Sequence, residues 1–187
     1  MNITAFLRIL HLEIEQETLS FSTKTLRWCR LPYSDHPKGC PNYNKNPLCP
    51  PNAPFLKEKI NHFRYFYLIL GRFNFLKYKE EMLLRHPDWS ERQATCVLYW
   101  QSSVKRHLKE YIRDIYERNP EVSMFLLSCG SGFQNLNIPQ EKIYSMEAVG
   151  IDVLNTLKAN DIKFEIKPQN EVVLVNLLCS MDKLTFQ

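Results

Sequence analysis

Hydrophobic and polar residues alternate along two N-terminal stretches, residues 7–15 and 19–28. An alternation with a period of two residues is typical of a strand with one buried face. The two stretches therefore predict an N-terminal β-hairpin that leads directly into Cys29. A third stretch, residues 64–73, is rich in aromatic and other β-favouring side chains and predicts a further strand.

Apolar side chains at three- and four-residue spacing predict the main helices. Residues 55–63 show this pattern briefly, and residues 75–85 show it over a longer stretch that ends at a His-Pro pair. A capping-box pattern then predicts the start of a long helix over residues 88–118. The buried stripe of this long helix is predicted to consist of Val97, Trp100, Val104, Leu108, Tyr111 and Ile115.

The C-terminal third adds a predicted strand at residues 122–128 and a predicted helix at residues 145–160. Two further apolar stretches, residues 162–167 and 172–178, predict a closing hairpin. Helices and strands interleave here without strict alternation, which favours an α+β fold over a doubly wound one. The sequence thus predicts one α+β domain over residues 1–187, with a mixed or mainly antiparallel sheet packed with helices.

One segment of the chain fits neither a helix nor a strand. Residues 30–54 contain seven of the eleven prolines, together with several asparagines and a glycine. Proline removes a backbone donor and fixes φ, so this segment is predicted to be a long irregular loop. Long loops without secondary structure are uncommon in compact domains unless a function or a metal orders them.

Composition and charge narrow the class of protein only a little. The 24 Lys and Arg residues exceed the 20 Asp and Glu residues by four, which is less than a dedicated nucleic-acid-binding domain usually carries. The first residues, MNITAFLRIL, contain Arg8 and do not resemble a signal peptide. No apolar run approaches the roughly 20 residues that cross a bilayer. We therefore expect a cytoplasmic protein without a membrane span, in which cysteines stay reduced.

Basic side chains gather on the polar face of the predicted long helix. They are Arg92, Lys105, Arg106, Lys109 and Arg113. Such a band could bind RNA phosphates or an acidic protein partner. A solvated helix face opposite an apolar stripe explains the same residues, so the partner stays unknown at this stage.

Three of the six cysteines lie on the predicted loop. Cys29, Cys40 and Cys49 fall within 21 residues, separated by ten and then eight residues. Cysteine thiolates bind iron–sulfur clusters and zinc because their soft sulfur matches those metals. The spacing lacks the short CxxC element of most structural zinc sites, which favours an iron–sulfur cluster.

A closed metal site needs a fourth ligand, and the sequence leaves its identity open. Cys129 is the first candidate, because it follows a predicted core strand and precedes a glycine-rich turn. His36 is the second, in a local zinc site with the three loop cysteines. In a third arrangement the three cysteines hold a cluster with one open iron. Cys96 and Cys179 are interpreted as thiols of the hydrophobic core.

Two short motifs resemble a known family. The stretch CPNYNKNPLCPP at residues 40–51 is similar to a C-x-x-Y…C-P-P element, and SMEAVGIDVLNT at residues 145–156 is similar to an S-M-E-A-x-G-I-D-V element. Both elements are found in a family of small predicted metal-binding proteins of unknown function. In that family, a further cysteine-rich, ferredoxin-like run precedes the second element. Cys129 is the one cysteine of that run that is present in this chain. The resemblance implies metal binding at one site and leaves the reaction open.

The functional hypothesis is therefore a metal-binding protein with one 4Fe-4S cluster on Cys29, Cys40, Cys49 and Cys129. Its chemistry would be redox or sulfur-related. The alternative is a zinc-binding interaction module, in which the metal folds the loop over residues 29–54 without catalysis.

Overall fold

The computed structural model describes residues 2–32, 36–130 and 132–186 of the chain. These residues form a mixed five-stranded sheet with the spatial order β1-β2-β5-β3-β4. Its strands are β1 (Leu7–Ile14), β2 (Tyr65–Asn74), β3 (Met124–Ser128), β4 (Tyr144–Ser145) and β5 (Glu171–Ser180). All neighbouring strands are antiparallel except β3 and β4, which are parallel. The predicted α+β class is confirmed.

The helices vary widely in length. They are α1 (Thr25–Trp28), α2 (Lys57–Ile60), α3 (Phe75–Arg85), α4 (Glu91–Ala94), α5 (Gln101–Arg118) and α6 (Val153–Ala159). Short 3₁₀ turns occur at Ile3–Phe6, Gln16–Thr18, Val97–Tyr99 and Glu147–Val149. Between Trp28 and Lys57, the described residues form turns and irregular backbone. Residues 33–35 of that loop and Ser131 of the glycine-rich turn lie outside the described part.

Strand β2 divides the hydrophobic core into two layers. Successive side chains of a strand point to opposite faces of the sheet. Tyr67 and Ile69 accordingly pack in the layer that contains α5. Phe66 and Leu68 pack in the layer that contains α6 and the residues before it. Because a core layer covers each face of β2, nearly all side chains of this strand are apolar.

Helix α5 approaches the sheet closely at Gly71 of β2. Val104, Leu108 and Ile112 are fully buried on the sheet side of this helix. A Cβ atom at Gly71 would lie 2.9 Å from the Cδ1 atom of Leu108. A glycine at this position therefore lets the helix pack directly on the strand.

The predicted N-terminal hairpin is wrong in its second strand. Strand β1 pairs with β2, and residues 19–28 contribute one bridge, between Phe21 and Ile151. The chain then turns into α1, where the Thr25 hydroxyl donates to the carbonyl oxygen of Glu147. Contacts with a distant segment thus override the local alternation.

The predicted long helix over residues 88–118 is interrupted. The sequence pattern suggests a capping box of Asp88 and Glu91, whereas helix α4 begins with a capping box formed by Ser90 and Gln93. The chain leaves the helix after Ala94 and re-enters it at Gln101. The interruption lets Trp100 stack on Phe73 with ring centroids 4.8 Å apart.

Two predicted C-terminal elements also differ from the structure. The helix over residues 145–160 is divided at Gly150, which has φ of +100° and lies between a 3₁₀ turn and α6. Residues 162–167 form no strand. The Glu165 carboxylate instead accepts hydrogen bonds from the backbone N–H groups of Gln169 and Asn170, at 2.6 and 3.0 Å. Strand β5 therefore pairs with β2 and β3 instead of with its predicted hairpin partner.

Within the described ranges, every helix is too short or too polar to cross a membrane.

The contact between Gly71 and Leu108 provides a test of the core. Gly71→Ala should lower the free energy of unfolding by about 1–3 kcal/mol, because the new methyl group overlaps the leucine side chain. Chemical denaturation with urea measures this change.

The matched control is the same substitution in a Leu108→Ala background, where the overlapping atoms are absent. There Gly71→Ala should be much less destabilising. An equal loss of stability in both backgrounds would contradict the close approach of α5 to β2.

Candidate metal centre

The segment before the cysteine loop is docked on the residues that follow β4. The Ser22 N–H donates to the carbonyl oxygen of Gly150 at 2.7 Å. The Thr25 hydroxyl donates to the carbonyl oxygen of Glu147 at 2.9 Å. Together these hydrogen bonds fix α1, and Cys29 follows directly at its C-terminal end.

The segment after the loop is docked on the same residues. The Leu56 N–H donates to the carbonyl oxygen of Val149 at 3.1 Å. The Phe55 ring covers Gly150, where a Cβ atom would lie 2.0 Å from the ring. With its positive φ, Gly150 thus allows both the turn and this close contact. One short segment therefore holds both ends of the cysteine loop.

Within the loop, the backbone brings the first two cysteines together. The Cys40 N–H donates to the carbonyl oxygen of Cys29 at 2.7 Å. The preceding residue, Gly39, has φ of +82°, and a Cβ atom there would lie 2.5 Å from the Cys29 carbonyl oxygen. The approach of these two cysteines therefore requires glycine at position 39.

The third cysteine is positioned by turns inside the loop. The Cys49 N–H donates to the carbonyl oxygen of Asn46 at 3.0 Å. The Asn46 side chain accepts from the Leu48 N–H at 2.9 Å, which fixes the preceding turn. The Asn44 N–H donates to the carbonyl oxygen of Pro50 at 2.9 Å and closes this part of the loop.

The three loop thiols influence one another electrostatically. Burial raises the pKa of Cys29 to about 11, and the neighbouring Cys40, Cys49 and Glu147 contribute to this rise. Burial and Cys40 raise the pKa of Cys49 as well. In the metal-free protein, adjacent thiolates would repel each other in a partly desolvated site. A bound cation removes that repulsion and favours the deprotonated thiols.

Cys129 has a different set of neighbours. It follows β3, and its backbone N–H donates to the Oδ1 atom of Asn176 at 2.9 Å. Burial raises the pKa of its thiol to about 12, with Lys105 acting in the opposite direction and Glu147 adding to the rise. The fully buried Asn176 has no hydrogen-bond partner for its Nδ2 atom among the described residues.

Glu147 influences both parts of the site electrostatically. Its carboxylate contributes to the raised pKa of Cys29 and to that of Cys129. Burial in turn raises the pKa of Glu147, and Asp152 raises it further. Glu147 lies in the segment predicted as a helix over residues 145–160, and its influence on the two thiols was not predicted.

Asn176 is a second site residue that local sequence patterns did not predict. It is the one polar side chain in the apolar run VVLVNLLC of residues 172–179. A buried polar residue needs a hydrogen-bond partner, so an isolated asparagine in such a strand is a usable signal for a site.

The remaining candidates lie elsewhere. His36 is exposed on the loop, and its carbonyl oxygen accepts from the Gly39 N–H at 3.0 Å. Cys179 is fully buried in the core, as predicted. Cys96 is half-buried and lies between α4 and the Val97–Tyr99 turn, so its predicted position on a helix is wrong.

The described residues contain no group of three or more His, Cys, Asp or Glu side chains that could hold a metal ion as they stand. The three loop cysteines nevertheless fit a thiophilic metal in their chemistry and in their mutual electrostatic influence. Glu147 contributes to the raised pKa of Cys129 as it does to that of Cys29. The Nδ2 atom of Asn176, which has no hydrogen-bond partner among the described residues, belongs to the side chain that bonds the Cys129 backbone.

A family model described as predicted metal-binding protein (DUF2284) matches residues 13–179. The chain belongs to the DUF2284 family. The match spans the cysteine loop, Cys129 and the segment after β4, and the resemblance inferred from the two motifs is confirmed. No curated protein and no solved structure is significantly similar to this DUF2284 chain.

The backbone contact between Cys29 and Cys40 can be tested without a metal. In a Cys49→Ser background, Gly39→Ala should strongly reduce the bridging of the two thiols by dibromobimane, because the added methyl group collides with the Cys29 carbonyl. Fluorescence of the bridged product and peptide mapping give the yield.

Gly130→Ala is the matched control. Gly130 also has a positive φ, of +85°, but the space that its added methyl group would enter is open, with no neighbouring atom of the described chain within 4 Å. Bridging that survives Gly39→Ala as well as it survives Gly130→Ala would show that the two cysteines do not depend on a close approach at residue 39.

The raised pKa of Cys29 predicts slow alkylation of the metal-free protein. Because this pKa is about 11 rather than 9.0, the thiolate fraction at pH 8 should be about a hundredfold lower than for an ordinary cysteine. Iodoacetamide labelling of Cys29, followed by mass spectrometry, should accelerate as the pH rises towards 11.

Cys40→Ser should speed the labelling at a fixed pH, because it removes a neighbour that disfavours the Cys29 thiolate. Labelling of Cys29 at the rate of an unfolded peptide at pH 8 would contradict the proposed environment of this thiol.

Proposed function

We propose that this DUF2284 protein carries one 4Fe-4S cluster on Cys29, Cys40, Cys49 and Cys129. The observation that supports the proposal is the backbone hydrogen bond between Cys29 and Cys40, which joins two of the cysteines on a loop that also carries the third. Membership of a predicted metal-binding family supports a metal at this site.

The donor set favours iron and sulfide over zinc. All three loop donors are thiols, and their spacing does not form the short knuckles that are typical of structural zinc sites. When bound, the cluster would supply one-electron redox or sulfur-related chemistry. The sulfur atoms of the loop cysteines would converge on the metal.

The proposal that Cys129 is the fourth ligand is supported by the residues around it. Asn176 holds the Cys129 backbone through its Oδ1 atom and retains an unpaired Nδ2 donor among the described residues. A sulfur ligand beside this donor would satisfy a buried polar group that otherwise destabilises the fold. Hydrogen bonds to sulfur also tune metal centres, which gives Asn176 a supporting role for the cluster.

The metal can be identified after anaerobic reconstitution with iron and sulfide. We expect a brown protein with broad visible absorption and about four iron atoms and four acid-labile sulfides per chain. A colourless protein that retains one zinc ion after purification and takes up no iron would support the zinc-binding module instead.

Individual Cys→Ser variants test the ligands. Replacement of Cys29, Cys40, Cys49 or Cys129 should each deplete iron and sulfide, because a thiolate ligand is lost. Cys96→Ser is the control for a partly exposed thiol and should retain the cluster. Full retention in Cys129→Ser would contradict the four-cysteine set and favour a three-cysteine cluster with an open iron, or ligation by His36.

A further inference from the structure

A cleft of about 480 Å³ lies beside the cysteine centre, at the end of the sheet. The residues that line it include Lys105, Cys129 and Glu147. Its volume falls in the range of about 300–1,000 Å³ that is usual for ligand-binding pockets. A larger groove of about 800 Å³ exists near Met124, but no cysteine lines it.

The first half of β5 runs along this cleft with one edge unpaired. Strand β5 pairs with β2 over its full length, but it pairs with β3 only over residues 177–180. Strand β3 ends at Ser128, so residues 172–175 meet no strand on that side among the described residues. Alternate residues of a strand direct their N–H and C=O groups to opposite sides, so two of these four residues direct theirs away from β2.

Two other edges of the sheet, those of β3 and β1, are protected. The outer edge of β3 is closed at Leu126, whose N–H and C=O groups bond to the Gln140 side chain at 2.6 and 2.8 Å. The outer edge strand, β1, carries exposed charged side chains, including Arg8 and Glu13. Charged side chains of this kind oppose the addition of another strand. The edge of β5 has neither protection and lies in a cleft.

Apolar side chains form the wall of the cleft. They belong to α6 and to the segment before β5 and include Leu154, Leu157, Phe164 and Ile166. Two of them are exposed, Leu154 at 37% and Ile166 at 73% of their full surface. An occupant of the cleft would therefore cover apolar surface and also meet main-chain donors and acceptors.

We propose that this cleft binds an extended peptide segment of a partner protein, which adds to the sheet as a strand along residues 172–175. The groups of β5 that have no strand partner among the described residues recur every second residue, about 7 Å apart, and an extended peptide offers matching groups at the same spacing. Its alternate side chains would pack on Leu154 and Ile166. This interaction goes beyond the proposed cluster and does not depend on it.

The proposed peptide binding is tested by NMR titration of the isotope-labelled full-length protein. The probe is an end-capped hexapeptide of alternating valine and threonine with an N-terminal lysine. We expect shifts in the backbone amides of residues 172–175 and new protection from hydrogen exchange at one alternating pair of them. No shift in these amides, or shifts centred on another surface, would overturn the proposal.

A second peptide separates strand addition from simple apolar contact. It carries proline at alternate positions, so it lacks the N–H groups that strand pairing needs. We expect its binding to be at least about tenfold weaker. Equal affinity for both peptides would overturn strand addition and indicate a pocket for apolar groups.

Matched protein variants locate the contact. Leu154→Glu and Ile166→Glu place a charge in the wall of the cleft and should each weaken hexapeptide binding at least about tenfold. Leu98→Glu is the control, because Leu98 is 80% exposed and does not line the cleft. Unfolding curves confirm that each variant is folded. Unchanged binding in both cleft variants would contradict the proposed site.

Discussion

Both ends of the cysteine loop depend on one short piece of backbone, the residues between β4 and α6. Carbonyl oxygens of Glu147 and Gly150 accept hydrogen bonds from the segment before the loop, and that of Val149 accepts from the residue after it. Closure of a long loop carries an entropic penalty that grows slowly with its length. With its ends tied to the same segment, the loop also bonds Cys40 to Cys29 through their backbones.

The sheet determines where this anchoring segment lies. Strands β3 and β4 are parallel neighbours, so Cys129 and Glu147, which follow them closely, emerge at the same end of the sheet. Glu147 can then influence the thiols of Cys29 and Cys129, although the two cysteines are far apart in sequence. Strand β3 ends at Ser128, so the first half of β5 has no strand neighbour on that side among the described residues. This edge of β5 lies next to Cys129.

Three glycines allow another segment of the chain to approach the backbone closely, in the core or near the cysteines. Gly71 lets α5 pack on β2, Gly150 lets the end of the loop pack on its anchor, and Gly39 lets Cys40 reach Cys29. Each contact joins segments that are distant in sequence or separated by irregular backbone. The centre is therefore built by close packing against the backbone, and the metal would complete it.

Local patterns predicted the elements that local forces determine. The apolar run of β2 and the helix Phe75–Arg85 were found because their side-chain periodicity agrees with their burial. Residues 19–28 and 162–167 were interpreted wrongly as strands because their backbone groups bond to distant or polar partners that no local pattern reveals. The same limit applies to the site. The loop cysteines were visible by residue type, whereas the roles of Glu147 and Asn176 depend on tertiary contacts.

A crystal structure of the anaerobically reconstituted protein, with anomalous diffraction recorded at the iron absorption edge, tests the proposed cluster most directly. We expect one compact iron peak bonded by the sulfur atoms of Cys29, Cys40 and Cys49, with Cys129 as the fourth ligand and the loop ends still bonded to residues 147–150. An iron peak away from these cysteines, or three loop thiols that remain unligated in fully reconstituted protein, would contradict it.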